Sequence, residues 1–375
     1  MLKLASFQLS CLPKLTRFNT KVNWCSPNMT YSSRNNFFNS SAEIDGRRSS
    51  QDMLDKVNYT SENYPLTKEE TISFLTDHLK MPNIFSDEVK FDKLNILNHI
   101  VRRIKHLVPG GNISILTSSG ENYMQEESLF LRKTKNDMLS LQGGQCFWFT
   151  SFLSAILSNI GYRVGLVGAN DRSLDSMYDV HSAILVFDLL YPGSKHLVES
   201  SPTYPIFAAV PLNGDKEYDL CSFGGTKHKF VDAGNGIVKY CHLLQRGALP
   251  RTKWSDVIEQ ENELWEVDME YRTAACKPLS YFTGLITLLL YIPSIVPFYH
   301  TNLFLRGFSK GKGVSIFNQK VTLTDENGYI FEKYSVNSSY DIVEVVTKYF
   351  PQYTPTLIKK CLVNREKVQA FTLSP

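Results

Sequence analysis

The first 42 residues contain no Asp or Glu, and Glu43 is the first acid. The stretch holds Lys3, Lys14, Arg17, Lys21 and Arg34 among many Ser and Asn. A basic, acid-free, Ser-rich start resembles a mitochondrial transit peptide, but the expectation is a polar tail too poor in apolar surface to fold. It lacks a sustained apolar h-region, which argues against a secretory signal. Cysteine is present but never clustered: of seven, no two lie within four residues, which argues against zinc ribbons and CxxC redox motifs. Scattered, odd-numbered cysteines fit a reducing compartment, so the expected location is the cytoplasm, with the mitochondrion as the alternative. No internal repeat or heptad run is visible. A net charge of +3 on 375 residues is too small to point to a nucleic-acid partner.

No carboxylate occurs between Glu270 and Asp325, yet that window carries Arg272, Lys277, Arg306, Lys310, Lys312 and Lys320. Its centre, YFTGLITLLLYIPSIVPF (281–298), is the most apolar stretch of the chain. A spanning helix needs about 20 apolar residues. Pro293 and Pro297 break this one after about twelve. A buried helix followed by an irregular segment is the expectation, with weak contact between 281–298 and a membrane surface as the second reading.

At 43% hydrophobic and 21% charged, the rest is ordinary for a globular protein. Roughly 100–200 residues per domain gives two to three domains. Residues 1–65 form a polar lead. Helices are expected over 66–107, where Thr67 and Glu70 have capping-box spacing. Leu94, Ile96, Leu97, Ile100, Val101 and Ile104 recur at helical spacing. Pro109-Gly110-Gly111 ends that run, and 108–141 is loop-rich. GGQCFWFTSFLSAILSNIG, starting at Gly143, is apolar on all sides and predicts a buried helix that stops at Gly161. Strands follow at 162–169, 181–190 and 195–200, with a turn at Pro192-Gly193-Ser194. Residues 227–245 predict a hairpin turning at Gly234-Asn235-Gly236. Residues 314–334 predict another around Asn327-Gly328. A helix over 338–350, capped near Ser339, closes the pattern.

Cys146 follows two glycines and opens the buried helix. Glycines permit a tight turn and close approach of backbone to a ligand. The free N–H groups and dipole of a helix N-terminus favour a thiolate. A nucleophilic thiol needs a base, and the base needs an orienting carboxylate. His181 starts a strand, and Glu199 ends its hairpin partner, so antiparallel pairing brings them toward one end of a sheet. Each also has a plainer reading: Cys146 as core, His181 as a strand-start residue, Glu199 as a solvated strand end.

GGQCFWF with its helix, HSAILV, KHLVES and YPIFAAVPL (204–212) together resemble the arylamine N-acetyltransferases. KHKFVDAGNGIVKYCHL resembles that family's next barrel hairpin. WEVDMEYRTAACKPLSYF, IPSIVPFYHTNLFLRGF and SIFNQKVTLT resemble its C-terminal part. The resemblance spans roughly 66–375 and is strongest over 142–212. It implies a mixed α+β fold: a helical domain carrying the nucleophile (66–161), an antiparallel β-barrel (162–275) and a C-terminal α/β lid (276–375), around a papain-like Cys-His-carboxylate core. Carried over by position, Cys146 is the acyl-accepting nucleophile, His181 its base and Glu199 the orienting carboxylate. The implied reaction is ping-pong acetyl transfer from acetyl-CoA to an arylamine, hydrazine or related amine, by a monomer with no metal. Arg306, Lys310 and Lys312 are the expected contacts for the anionic cofactor, against a plainer reading as a solvated basic loop. Backbone N–H groups after Cys146 are the expected oxyanion donors. Phe147, Trp148 and Tyr178 are expected to shape the acceptor pocket, or else to be core.

The departures are specific. Gln142 stands where the family has Arg, Trp148 where it has Glu or Gln, and Glu199 where it has Asp. Ser201-Pro202-Thr203 replaces Gly-Phe-Gly, and Met177 and Tyr178 replace small residues ahead of His181. Asp232, in VDAGNG, is a rival third member, but its flanks match the next hairpin better. Two other readings stay open: a catalytically weak relative that binds a ligand or membrane surface, and a transglutaminase- or papain-like cysteine enzyme.

Overall fold

The computed structural model describes residues 64–82, 92–118, 126–172, 179–212, 217–244, 256–260, 262–291 and 298–373. The polar lead up to residue 63, the Met177–Tyr178 pair, Pro293 and Pro297 lie outside the described residues. The chain folds as a mixed α+β protein with two antiparallel sheets.

The first half is helical. Helix α1 (Lys68–Ser73) runs into a π-helical turn at Phe74–His78. Its start is the expected capping box: Thr67 Oγ1 accepts from Glu70 N and the Glu70 carboxylate accepts from Thr67 N. Helix α2 (Lys93–Leu107) begins at Asp92, whose carboxylate accepts from Asn95 N at 3.1 Å. It buries Leu97, Ile100, Val101 and Ile104 on one face. Strand β1 (Gly110–Gly111) and helices α3 (Ile113–Ser118) and α4 (Glu127–Leu139) follow. Helix α5 (Cys146–Asn159) is buried on every side from Phe147 to Leu157. Phe152 meets Phe74 edge-on at 4.9 Å.

The large sheet has nine strands. Its order is β5 (Val210–Pro211), β4 (Lys195–Val198), β3 (His181–Phe187), β2 (Arg163–Asp171), β10 (Glu263–Arg272), β8 (Ile237–Leu243), β7 (Thr226–Gly234) and β6 (Glu217–Phe223), with β9 (Val257–Gln260) also on β10. Among the described strands, β5 and β6 do not pair, so the expected barrel is an open, curled half-barrel. Strict alternation divides its faces. Val164, Leu166, Ile184, Val186 and Val198 pack on the helices. Val167, Ala169, Ala183, Leu185, Phe230, Tyr240, Met269 and Tyr271 fill the concave side.

Helix α6 (Leu279–Tyr291) is the start of the expected apolar stretch. Leu279, Phe282 and Ile286 pack into the helical core, and no helix among the described residues is long and apolar enough to cross a membrane. After α7 (Phe298–Thr301), a second sheet forms from β11 (Phe304–Ser309), β12 (Lys312–Phe317), β13 (Lys320–Thr324) and β14 (Ile330–Ser335), with β1 on the outer edge of β11. Leu305, Val314, Ile316, Val321 and Leu323 of this sheet share a core with α8 (Ser339–Tyr349), α9 (Pro355–Leu373) and α3.

Candidate active site

The turn before α5 is built for close approach. Gly143 has φ +69°, and a Cβ there would sit 1.9 Å from the Pro109 carbonyl oxygen. At Gly144 a Cβ would meet the Trp148 ring at 2.5 Å. Gly111 N donates to Gly144 O at 2.9 Å, and the Gln145 amide donates to Gly111 O at 2.7 Å. Gly110 in turn pairs with Arg306 on β11. Strand β1 therefore ties the turn that carries Cys146 to the second sheet.

No side chain caps the N-terminus of α5, where Cys146 stands half-buried. The thiol interacts electrostatically with the His181 imidazole and favours its charged form. Strand β3 carries His181 opposite Ala169, on the concave face. Its Nε2 lies 2.7 Å from Glu199 Oε2. Glu199, 1% exposed, follows the last residue of β4. Tyr271 Oη donates to the same carboxylate oxygen at 2.8 Å, and Ser201 N donates to Oε1 at 2.9 Å. Both oxygens are thus used, which satisfies a buried carboxylate.

Burial opposes charge on His181, but Glu199 and Cys146 outweigh it and hold the imidazole pKa well above its usual value. Burial likewise opposes charge on Glu199, yet His181, Lys105 and the Ser201 N–H bring its pKa below the usual carboxylate value. Both shifts favour an imidazolium beside a carboxylate. Tyr204 closes one side, its ring edge-on to His181 at 5.6 Å and to Tyr240 at 5.7 Å.

The other expected residues fall differently. Asp232 is exposed on β7, where its carboxylate accepts from Gly234 N at 2.8 Å within its own turn. Trp148 does not face an acceptor pocket. It is buried, and its indole N–H donates to Asp137 at 3.1 Å, beside Ser114 and Lys133 on the same carboxylate. Phe147 is core, stacked on Phe130. Arg306 is half-buried; desolvation pulls its pKa down to about 10, and it lies near Tyr240 and Tyr204. Lys310 and Lys312 are exposed where β11 turns into β12, and Lys312 lies over the Phe331 ring.

Sequence reasoning missed Tyr271, Tyr204 and Lys105. Only Lys105 left a signal, a charge in the row Leu97–Val101–Lys105 that otherwise reads as core.

No family model matches the sequence, and no curated protein matches it. Solved structures do. The arylamine N-acetyltransferase of Mycobacterium marinum, in complex with CoA, superposes with TM-score 0.58 at 13% identity, over 79% of this chain and 99% of that one. The enzyme from Salmonella typhimurium gives 0.56 at 12% identity, over 78% and 98%. That from Nocardia farcinica gives 0.58 at 13% identity, over 82% and 96%. The chain carries the fold of the arylamine N-acetyltransferases.

Proposed function

We propose that this protein is an acyltransferase that moves an acetyl group from acetyl-CoA, through a thioester on Cys146, to an arylamine, hydrazine or related amine. One observation supports the reading: the His181 imidazole is hydrogen-bonded to the buried Glu199 carboxylate and lies in electrostatic reach of the thiol at the uncapped start of a buried helix. The thiolate attacks the thioester carbonyl carbon, and a bond forms from that carbon to Cys146 Sγ. The carbon–sulfur bond to CoA then breaks, and the departing sulfur takes the proton held on His181. In the second half an amine nitrogen attacks the acyl carbon and gives a proton to His181, and Cys146 leaves as thiolate. The first N–H groups of α5 supply the donors for the oxyanion in both halves. Arg306, Lys310 and Lys312 supply positive charge for the phosphates of CoA.

Intact-mass measurement after mixing with acetyl-CoA alone tests this. The expected result is one acetyl group on the peptide containing Cys146, and none in Cys146→Ser. A folded wild-type protein that takes up no acetyl group would overturn the proposal.

A further inference from the structure

One buried charge near the site has no role in that chemistry. Lys105 is 0% exposed, on the face of α2 that also buries Leu97 and Val101. Burying an ammonium costs several kcal/mol unless partners repay it. Its Nζ donates to the Tyr204 carbonyl at 3.0 Å and lies 5.7 Å from the Phe207 ring centroid. Tyr204 is the residue whose ring meets His181 edge-on. The segment 199–204 thus leaves the carboxylate at one end and is tied to Lys105 at the other.

We infer that Lys105 is a positioning residue for the Cys146–His181–Glu199 set: it anchors the 199–204 segment through the Tyr204 carbonyl and balances the buried Glu199 carboxylate. The inference rests on the acyltransferase reading for its kinetic consequences, but not for its structural ones. With the thiolate, the imidazolium and Glu199 charged, these three groups carry a net negative charge that Lys105 offsets, while Asp171, Asp268 and Arg306 act on the adjoining Tyr204. The chain has Gln142 ahead of its two glycines, and the cation in electrostatic reach of Glu199 comes from α2.

The groups that face Glu199 are His181 from β3, Tyr271 from β10, Lys105 from α2, and Tyr204 and the Ser201 N–H of its own segment; Asp171 of β2 and Asp268 of β10 act on Tyr204. His181 faces Cys146, Tyr204 and Tyr271 besides Glu199, and Tyr299 of α7 interacts with Cys146. Beyond Tyr204 stands Arg306. His106, next to Lys105, turns to the second sheet and stacks on Phe308 at 4.4 Å. Removing one positive charge from such a set raises the pKa of every acid in it.

The test uses Lys105→Met, which keeps the length and removes the charge, and Lys105→Arg, which keeps the charge. In Lys105→Met both limbs of the pH profile of kcat/KM for acetyl transfer should move to higher pH, by about half a unit or more. The loss should fall on kcat more than on KM for the amine, and Lys105→Arg should restore the position of the limbs. Folding is tested separately by a denaturation cycle with Glu199→Gln. Lys105→Met should destabilise the wild type more than it destabilises Glu199→Gln, and a single variant that fails to fold should fold again in the double. A folded Lys105→Met with unmoved limbs, or effects that simply add in the cycle, would overturn the inference. The cycle needs no activity, so an inactive wild type would sink the acyltransferase reading while leaving Lys105 testable.

Discussion

His181 Nε2 and Glu199 Oε2 lie 2.7 Å apart, one at the first position of β3 and the other just past the end of β4. The pairing of Ile184 with Val198 sets Glu199 diagonally across from His181 rather than directly opposite. The extra methylene of Glu over Asp spans that diagonal. It also lets one oxygen serve both His181 and Tyr271 while the other accepts from Ser201 N.

Glu199→Gln should therefore cut acetyl transfer by about 100-fold or more, because the imidazole loses its charged orienting partner. Glu199→Asp should sit between the two, since it keeps the charge and loses the reach. Asp232→Asn should leave the rate within about twofold, because that carboxylate caps a surface turn. Steady-state rates for the three variants check this. A greater loss in Asp232→Asn than in Glu199→Gln would refute the assignment of Glu199.

The same pair predicts a pH dependence of stability. The His181 pKa is raised, so its contribution is complete below the unfolded value of about 6.5 and is lost as pH rises through the folded value. The Glu199 pKa is lowered, so its contribution is complete above about 4.5 and is lost as pH falls through the folded value. The stability advantage of wild type over Glu199→Gln should then be largest between about pH 4.5 and 6.5 and shrink on both sides. Urea denaturation of both proteins across that range measures it. An advantage that keeps growing above neutral pH would contradict the shift assigned to His181.

Much of this site was legible from local pattern. The two glycines, the all-apolar helix and the strand led by His181 each follow from spacing and turn chemistry, and so does the hairpin at Gly234-Asn235-Gly236. The turn at Asn318 was not legible, because a non-glycine residue carries it in the left-handed region, at φ +51°. Residues 314–334 thus read as one hairpin where β12, β13 and β14 make two turns. Of its two readings Trp148 takes the plainer one, core, for a geometric reason. Two residues along a helix turn the side chain by about 200°, so Trp148 points away from Cys146 and into Asp137. Tyr271 and Glu199 are 72 residues apart and meet only because β10 pairs with β2 inside the sheet.

The turn before Cys146 has a stability signature of its own. Gly143→Ala places a Cβ against the Pro109 carbonyl at a residue with φ +69°. Left-handed backbone costs an L-residue about 1–2 kcal/mol, and overpacking adds about 1–3. The denaturation midpoint should fall accordingly. Acetylation of Cys146 should slow even in the folded fraction, because the same turn fixes Gly144 and Gln145 against β1. A fully stable Gly143→Ala would mean that the turn has another conformation available.

The basic hairpin gives a separable prediction. Lys310 and Lys312 are exposed at the turn between β11 and β12, far enough into solvent for salt to screen them. Replacing both with Ala should raise KM for acetyl-CoA by about three- to tenfold at low salt and hardly at all near 0.5 M, with kcat unchanged. The KM for the amine should not move. Arg306→Ala differs, because that side chain is half-buried beside Tyr204 and Tyr240, out of the reach of full screening. Its loss should persist at high salt and reach kcat as well, since Tyr204 packs on His181. Equal, salt-independent effects in the lysine and arginine variants would show that the hairpin lysines act through the fold. No effect on KM for acetyl-CoA in either would remove this face of the second sheet from the cofactor site.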